Sequence, residues 1–109
     1  MPRDETEASY FALLRAREDL DALRRYGEFL VAEAQRLRRT TSEGEALAGQ
    51  VDRRLMRNLR HTDEPLAAAV KTRLAVIEEE RKRLLDRIPA AEAYVEDCER
   101  EHAELKRHS

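Results

Sequence analysis

Residues 57–74 read RNLRHTDEPLAAAVKTRL. The fold depends on whether this stretch is one helix or a reversal between two. Apolar residues recur at helical spacing on both sides, with Asp63-Glu64-Pro65 in the middle. A proline inside a helix lacks the N–H that would bond four residues back, and costs about 3 kcal/mol. In a first turn that N–H has no partner anyway, so the proline is tolerated. Thr62 or Asp63 offers a side-chain oxygen to the free N–H groups of a new helix. Glu64 suits the positive end of that helix's dipole. The stretch therefore reads as a tip, with the reversal expected at residues 61–64.

Working outward, a heptad pattern runs upstream from about Ser9. One seam position carries Leu13, Leu20, Gly27, Ala34, Thr41, Ala48 and Leu55. The other carries Ala16, Leu23, Leu30, Leu37, Gly44, Val51 and Asn58. Downstream, the seam resumes with Ala67, Leu74, Arg81, Ile88, Val95 and His102, and with Val70, Ile77, Leu84, Ala91, Cys98 and Leu105. A fold at 62–63 makes the numbers of facing residues add to about 125. Leu55 then meets Val70, Leu37 meets Ile88, Gly27 meets Cys98 and Leu20 meets Leu105.

The expected fold is all-α: an antiparallel, coiled-coil-like helical hairpin over residues 9–109, after a flexible segment 1–8. Arm 1 is expected at about 9–60, the tip at about 61–64 and arm 2 at about 65–107. Each arm would be roughly 70 Å long at 1.5 Å per residue. Two places invite kinks. Ser42-x-x-Glu45 beside Gly44 has the pattern of a capping box, which starts helices. Pro89 pushes Ile88 away from helical geometry. Full breaks at both would give a compact bundle of four shorter helices.

Composition agrees with long solvated helices. Of 109 residues, 40% are charged and 5% aromatic, which suits neither a sheet protein nor a thick core. The length holds one domain. A formal charge of −2 supplies no global attraction to nucleic acid or acidic lipid. One cysteine excludes an internal disulfide framework and a Cys-based zinc finger. No apolar run approaches the ~18 residues of a membrane span. The N-terminus lacks the apolar stretch of a signal peptide. The expected setting is soluble and cytoplasmic.

A two-helix hairpin buries one stripe per helix, which is thin for a free-standing domain. The N-terminal quarter carries more apolar residues than its stripe needs. With facing numbers near 125, Tyr10, Phe11 and Leu14 would overhang the second arm. Tyr26 and Phe29 follow, and Tyr26 shares a flank of the seam with Tyr94. Tyr10, Phe11, Leu14, Tyr26, Phe29 and Tyr94 are the candidate protein-contact residues. The simplest arrangement is a homodimer forming a helical bundle.

Charge suggests a second reading. Arg53, Arg54, Arg57 and Arg60 lie close together, and a stripe of arginines can contact a nucleic-acid backbone. No aromatic residues interleave with them, so base stacking is not indicated. The plainer reading is a solvated face that partly pairs with the acidic segment 76–104. Glu78–Lys82, Glu79–Arg83 and Glu96–Arg100 have the favourable i,i+4 polarity, worth about 0.2–0.5 kcal/mol each.

Candidate chemistry is sparse. Cys98 and His102 share a helix face at a spacing that can hold a metal. Glu99-x-x-His102 has the spacing of di-iron carboxylate bundles, which need a second copy of the motif. The other histidines, His61 and His108, do not supply one. Cys98 reads more simply as a small core residue. There is no Gly-rich phosphate loop and no nucleophile–base motif. No cofactor, metal or catalytic residue is therefore expected. Asp63-Glu64 at a tip is similar in architecture to transcription factors whose acidic-tipped coiled coils reach into the RNA polymerase channel; no family motif accompanies it, and a capped helix start explains the pair. The expected function is a non-enzymatic, self-associating interaction module: scaffold, adaptor, chaperone or small regulatory subunit. The alternative is a nucleic-acid-associated regulator using the arginine stripe.

Overall fold

The computed structural model describes residues 2–50 and 53–108; for 2, 3, 48, 53, 54, 56 and 58–62 it describes the backbone alone. The chain is an all-α antiparallel hairpin of two long helices, α1 (Pro2–Ala48) and α2 (Arg53–Arg107). Pro2 occupies the first helical position, where its fixed φ suits the helix. Asp4 and Glu5 in the first turn of α1, and Lys106 and Arg107 in the last turn of α2, complement the helix dipoles. Residues 2–8 are thus helical rather than a loose leader.

The reversal lies earlier than the sequence suggests. α1 ends at Ala48, and residues 61–64 are internal to α2. Asp63-Glu64 is accordingly not a tip. Gly49 and Gln50 form a turn, with Gly49 N–H donating to the Glu45 carbonyl at 3.1 Å and Gln50 N–H to that of Leu47 at 3.0 Å. The sequence holds a signal for this stop. Gly49 directly follows the periodic residue Ala48, as helix-ending glycines do. Asp52, of a type that caps helix starts, comes three residues later.

The expected kinks do not divide either helix, so the four-helix alternative is excluded. Thr40 and Thr41 donate their hydroxyls to the Arg36 and Leu37 carbonyls at 3.0 Å, inside a continuing helix. The Ser42-x-x-Glu45 pattern is therefore mid-helical. Pro65 and Pro89 are both interior to α2 and exposed. At Pro89 the orphaned acceptor is the carbonyl of Leu85, a residue 75% exposed, so water can satisfy it.

Packing forms two compact units: Met1–Gly27 with Lys82–Ser109, and Glu28–Arg81. In the first, Leu13, Ala16, Leu20, Val95 and Cys98 form a buried cluster, with Ile88 and Ala91 packed against it. Gly27 stands against Leu84, whose Cδ1 would lie 3.5 Å from an added Cβ. In the second unit Leu30, Ala34 and Ile77 are buried, with Leu37, Val70 and Leu74 half-buried. Every one of these residues is on the heptad seam.

The register differs from the expected one. Gly27 faces Leu84 rather than Cys98, and Leu20 packs in the Val95–Cys98 cluster rather than on Leu105. Facing numbers add to about 111, a slip of two heptads from 125. Such a slip leaves every seam residue on the seam, so the apolar pattern permits both registers. The observed one covers Leu13 and Ala16, which the expected one leaves bare, and leaves Leu55 exposed instead. Tyr10 to Leu14 consequently do not overhang: Leu13 is 4% exposed, and the Tyr10 ring lies 5.7 Å from the His102 ring.

Candidate protein-contact surface

The two flanks of the seam in the first unit differ in chemistry. One is crossed by ion pairs: Arg17 meets Glu99 at 3.4 Å, and Arg24 meets Glu92 at 3.6 Å. Both pairs are about half exposed, so each adds little stability. The other flank is open. Asp19, Ala22, Leu23, Tyr26, Arg87 and Ala90 line a shallow groove there. A second groove, bounded by Ala8, Ala12 and Glu101, continues along it toward the helix ends.

All five aromatic residues of the chain are on the outside. Tyr10, Phe11, Tyr26, Phe29 and Tyr94 are 46%, 65%, 39%, 50% and 58% exposed. Among the described residues, the buried positions hold only Leu, Ala, Ile, Val and Cys. The candidate residues divide between faces. Tyr10 and Phe11 contact each other, with ring centroids 5.8 Å apart, and the half-buried Leu14 is one turn away. Tyr26 lines the open groove. Tyr94 is on that same flank, close enough to Asp19 for its charge to act on the phenol. The Tyr94 hydroxyl is held above the ordinary tyrosine range, first by the neighbouring Cys98 thiol, then by partial burial and by the negative charges of Glu101 and Asp19.

In the second unit Arg73 grips Glu33 with two parallel hydrogen bonds, Nε to Oε1 at 2.8 Å and a terminal nitrogen to Oε2 at 3.0 Å. This bidentate pair holds the Glu33 carboxyl below the ordinary glutamate range. Within α2, Arg100 pairs with Asp97, and Glu78 with Arg81 at 3.9 Å. Of the arginine stripe, Arg57 is exposed, and the side chains of Arg53, Arg54 and Arg60 lie outside the described residues.

No family model, curated protein or solved structure matches this chain. Its surface therefore has to be read from its own residues.

One polar contact escaped sequence reasoning. Ser9 and His102 face each other across the seam, with Oγ and Nδ1 2.9 Å apart. Their numbers fit the observed register and not the expected one. The Ser9 hydroxyl donates to the Thr6 carbonyl at 2.8 Å. The direction of the Ser9–His102 contact follows the imidazole tautomer, since a hydroxyl can donate or accept. Cys98 is buried on the seam, and no cluster of three His, Cys, Asp or Glu side chains converges among the described residues. No helix among them is long and apolar enough to cross a membrane.

Proposed function

We propose that this chain is a non-enzymatic, cytoplasmic, coiled-coil-type interaction module that self-associates and acts as a scaffold, adaptor, chaperone or small regulatory subunit. The observation that carries this reading is the placement of all five aromatic rings on the outside of the hairpin. Tyrosine and phenylalanine are enriched where proteins meet, because a large rigid ring buries much area at little entropic cost. A chain with so few aromatics would ordinarily gain most by burying them in its own core.

Light scattering of the purified chain tests the reading. A mass that is a multiple of 12.7 kDa is expected. Two double variants, Phe11→Asp with Leu14→Asp and Tyr26→Asp with Phe29→Asp, then report which aromatic face closes the assembly. A lower mass in either supports the proposal. A wild type that stays at one chain, or a mass unaffected by both variants, overturns it.

A further inference from the structure

The open flank of the first unit carries an acid and a base for which no ion pair is formed among the described residues. Asp19 and Arg87 border the same groove, and no hydrogen bond or ion pair joins them among the described residues. Their position relative to the groove's centre is informative. In the observed register Ala90 is level with Asp21, Arg87 with Arg24 and Tyr94 with Arg17. Ala22 and Ala90 thus mark the middle of the groove. Asp19 and Arg87 lie equally far to either side of that middle, on opposite helices. Tyr26 and Tyr94 lie further out, again equally far to either side.

We infer that a second copy of this chain docks on this flank about a twofold axis that crosses the groove at Ala22 and Ala90, perpendicular to the helices. The operation lays α1 against the partner's α1 and α2 against the partner's α2, and brings Asp19 of each copy level with Arg87 of its partner, and Tyr26 level with the partner's Tyr94, each pair meeting diagonally across the groove. An isologous interface must present to itself a surface that is its own complement, and an acid and a base equidistant from one axis meet that condition. The alanines at the centre allow the helices to approach closely. The opposite flank is a poorer candidate, because its charges are already matched within one chain. Area is sufficient as well. The chain exposes 8962 Å², against about 6,200 Å² for a compact monomer of its mass. That surplus of roughly 2,700 Å² belongs to the chain as a whole, and a standard interface needs ~800 Å² of it per partner.

The inference rests on the self-association proposed above and names its face and symmetry. Two charge reversals test it. Asp19→Arg alone sets Arg against Arg across the axis, and Arg87→Asp alone sets Asp against Asp. Each is expected to weaken dimerisation at least roughly tenfold, since like charges juxtaposed at an interface cost several kcal/mol. An equimolar mixture of the two variants pairs opposite charges again and should recover the dimer mass as a heterodimer. A charge that mattered only within its own chain could not be rescued by mixing. Circular dichroism checks that both variants keep their helix content. Should one lose it, a spin label at Ala22 in the otherwise unaltered chain must show a short distance to its counterpart. A dimeric wild type whose mass survives both reversals overturns this face and leaves self-association standing. Variants weakened singly but not rescued together, or a distant Ala22 pair in the dimer, overturn the symmetry. A monomeric wild type overturns both the inference and the reading beneath it.

Discussion

Glycines 27 and 44 lie inside α1, where a glycine costs about 0.5–1 kcal/mol relative to alanine. A Cβ at Gly44 meets nothing within 4 Å, and one at Gly27 reaches ordinary contact with Leu84 at 3.5 Å. Gly44→Ala and Gly27→Ala should therefore each stabilise the chain by about 0.5–1 kcal/mol, read as a higher urea midpoint. A loss at Gly27 would mean that the seam there cannot admit a methyl group. Glu33 has a pH signature. Its carboxyl is depressed by Arg73 in the fold, so its contribution is present above the ordinary glutamate range and disappears as pH falls through the lower folded value. Glu33→Gln should thus be less stable than wild type near neutrality. The two should converge in acid, in urea titrations across that window.

At the scale of the helix, the decisive residue is Pro65. α2 carries it as an interior residue, so Pro65→Ala should restore a hydrogen bond and stabilise the chain by up to about 3 kcal/mol. If the chain instead reversed at 62–63, the proline would be in a first turn and its removal would gain nothing. The sequence showed that there are two helices, which residues form their seams, and that the helices run antiparallel. The seams followed from a heptad period that only one face of a helix can satisfy; the number of helices and their antiparallel run followed from a reversal placed at residues 61–64, inside what is α2. The sequence did not show where they turn. Pro65 is a strong local signal, but a cost of a few kcal/mol in one helix does not outrank the packing of a whole seam. The quieter signal at Gly49 marked the stop. A heptad repeat is blind to slips of whole heptads, so the expected and observed registers differ by two of them without any residue leaving the seam. The candidate surface was legible for a related reason: the aromatics fall outside the seam in either register. Their division between two faces, and the contact of Ser9 with His102, required the register itself.

For the molecule as a whole, the proposed dimer makes stability depend on concentration. Folded chains that pair are stabilised by mass action, so the melting temperature followed by circular dichroism should rise as protein concentration rises. A midpoint that does not move across a hundredfold dilution would indicate a chain that melts alone. The outward placement of every aromatic ring separates two spectroscopic signals that are usually entangled. With no tryptophan in the chain and no tyrosine in its core, far-ultraviolet ellipticity reports the backbone and is indifferent to what covers the rings. Tyrosine emission and near-ultraviolet ellipticity report only the rings' surroundings. A change in intrinsic fluorescence at constant far-ultraviolet ellipticity therefore reports docking in chains that are already folded.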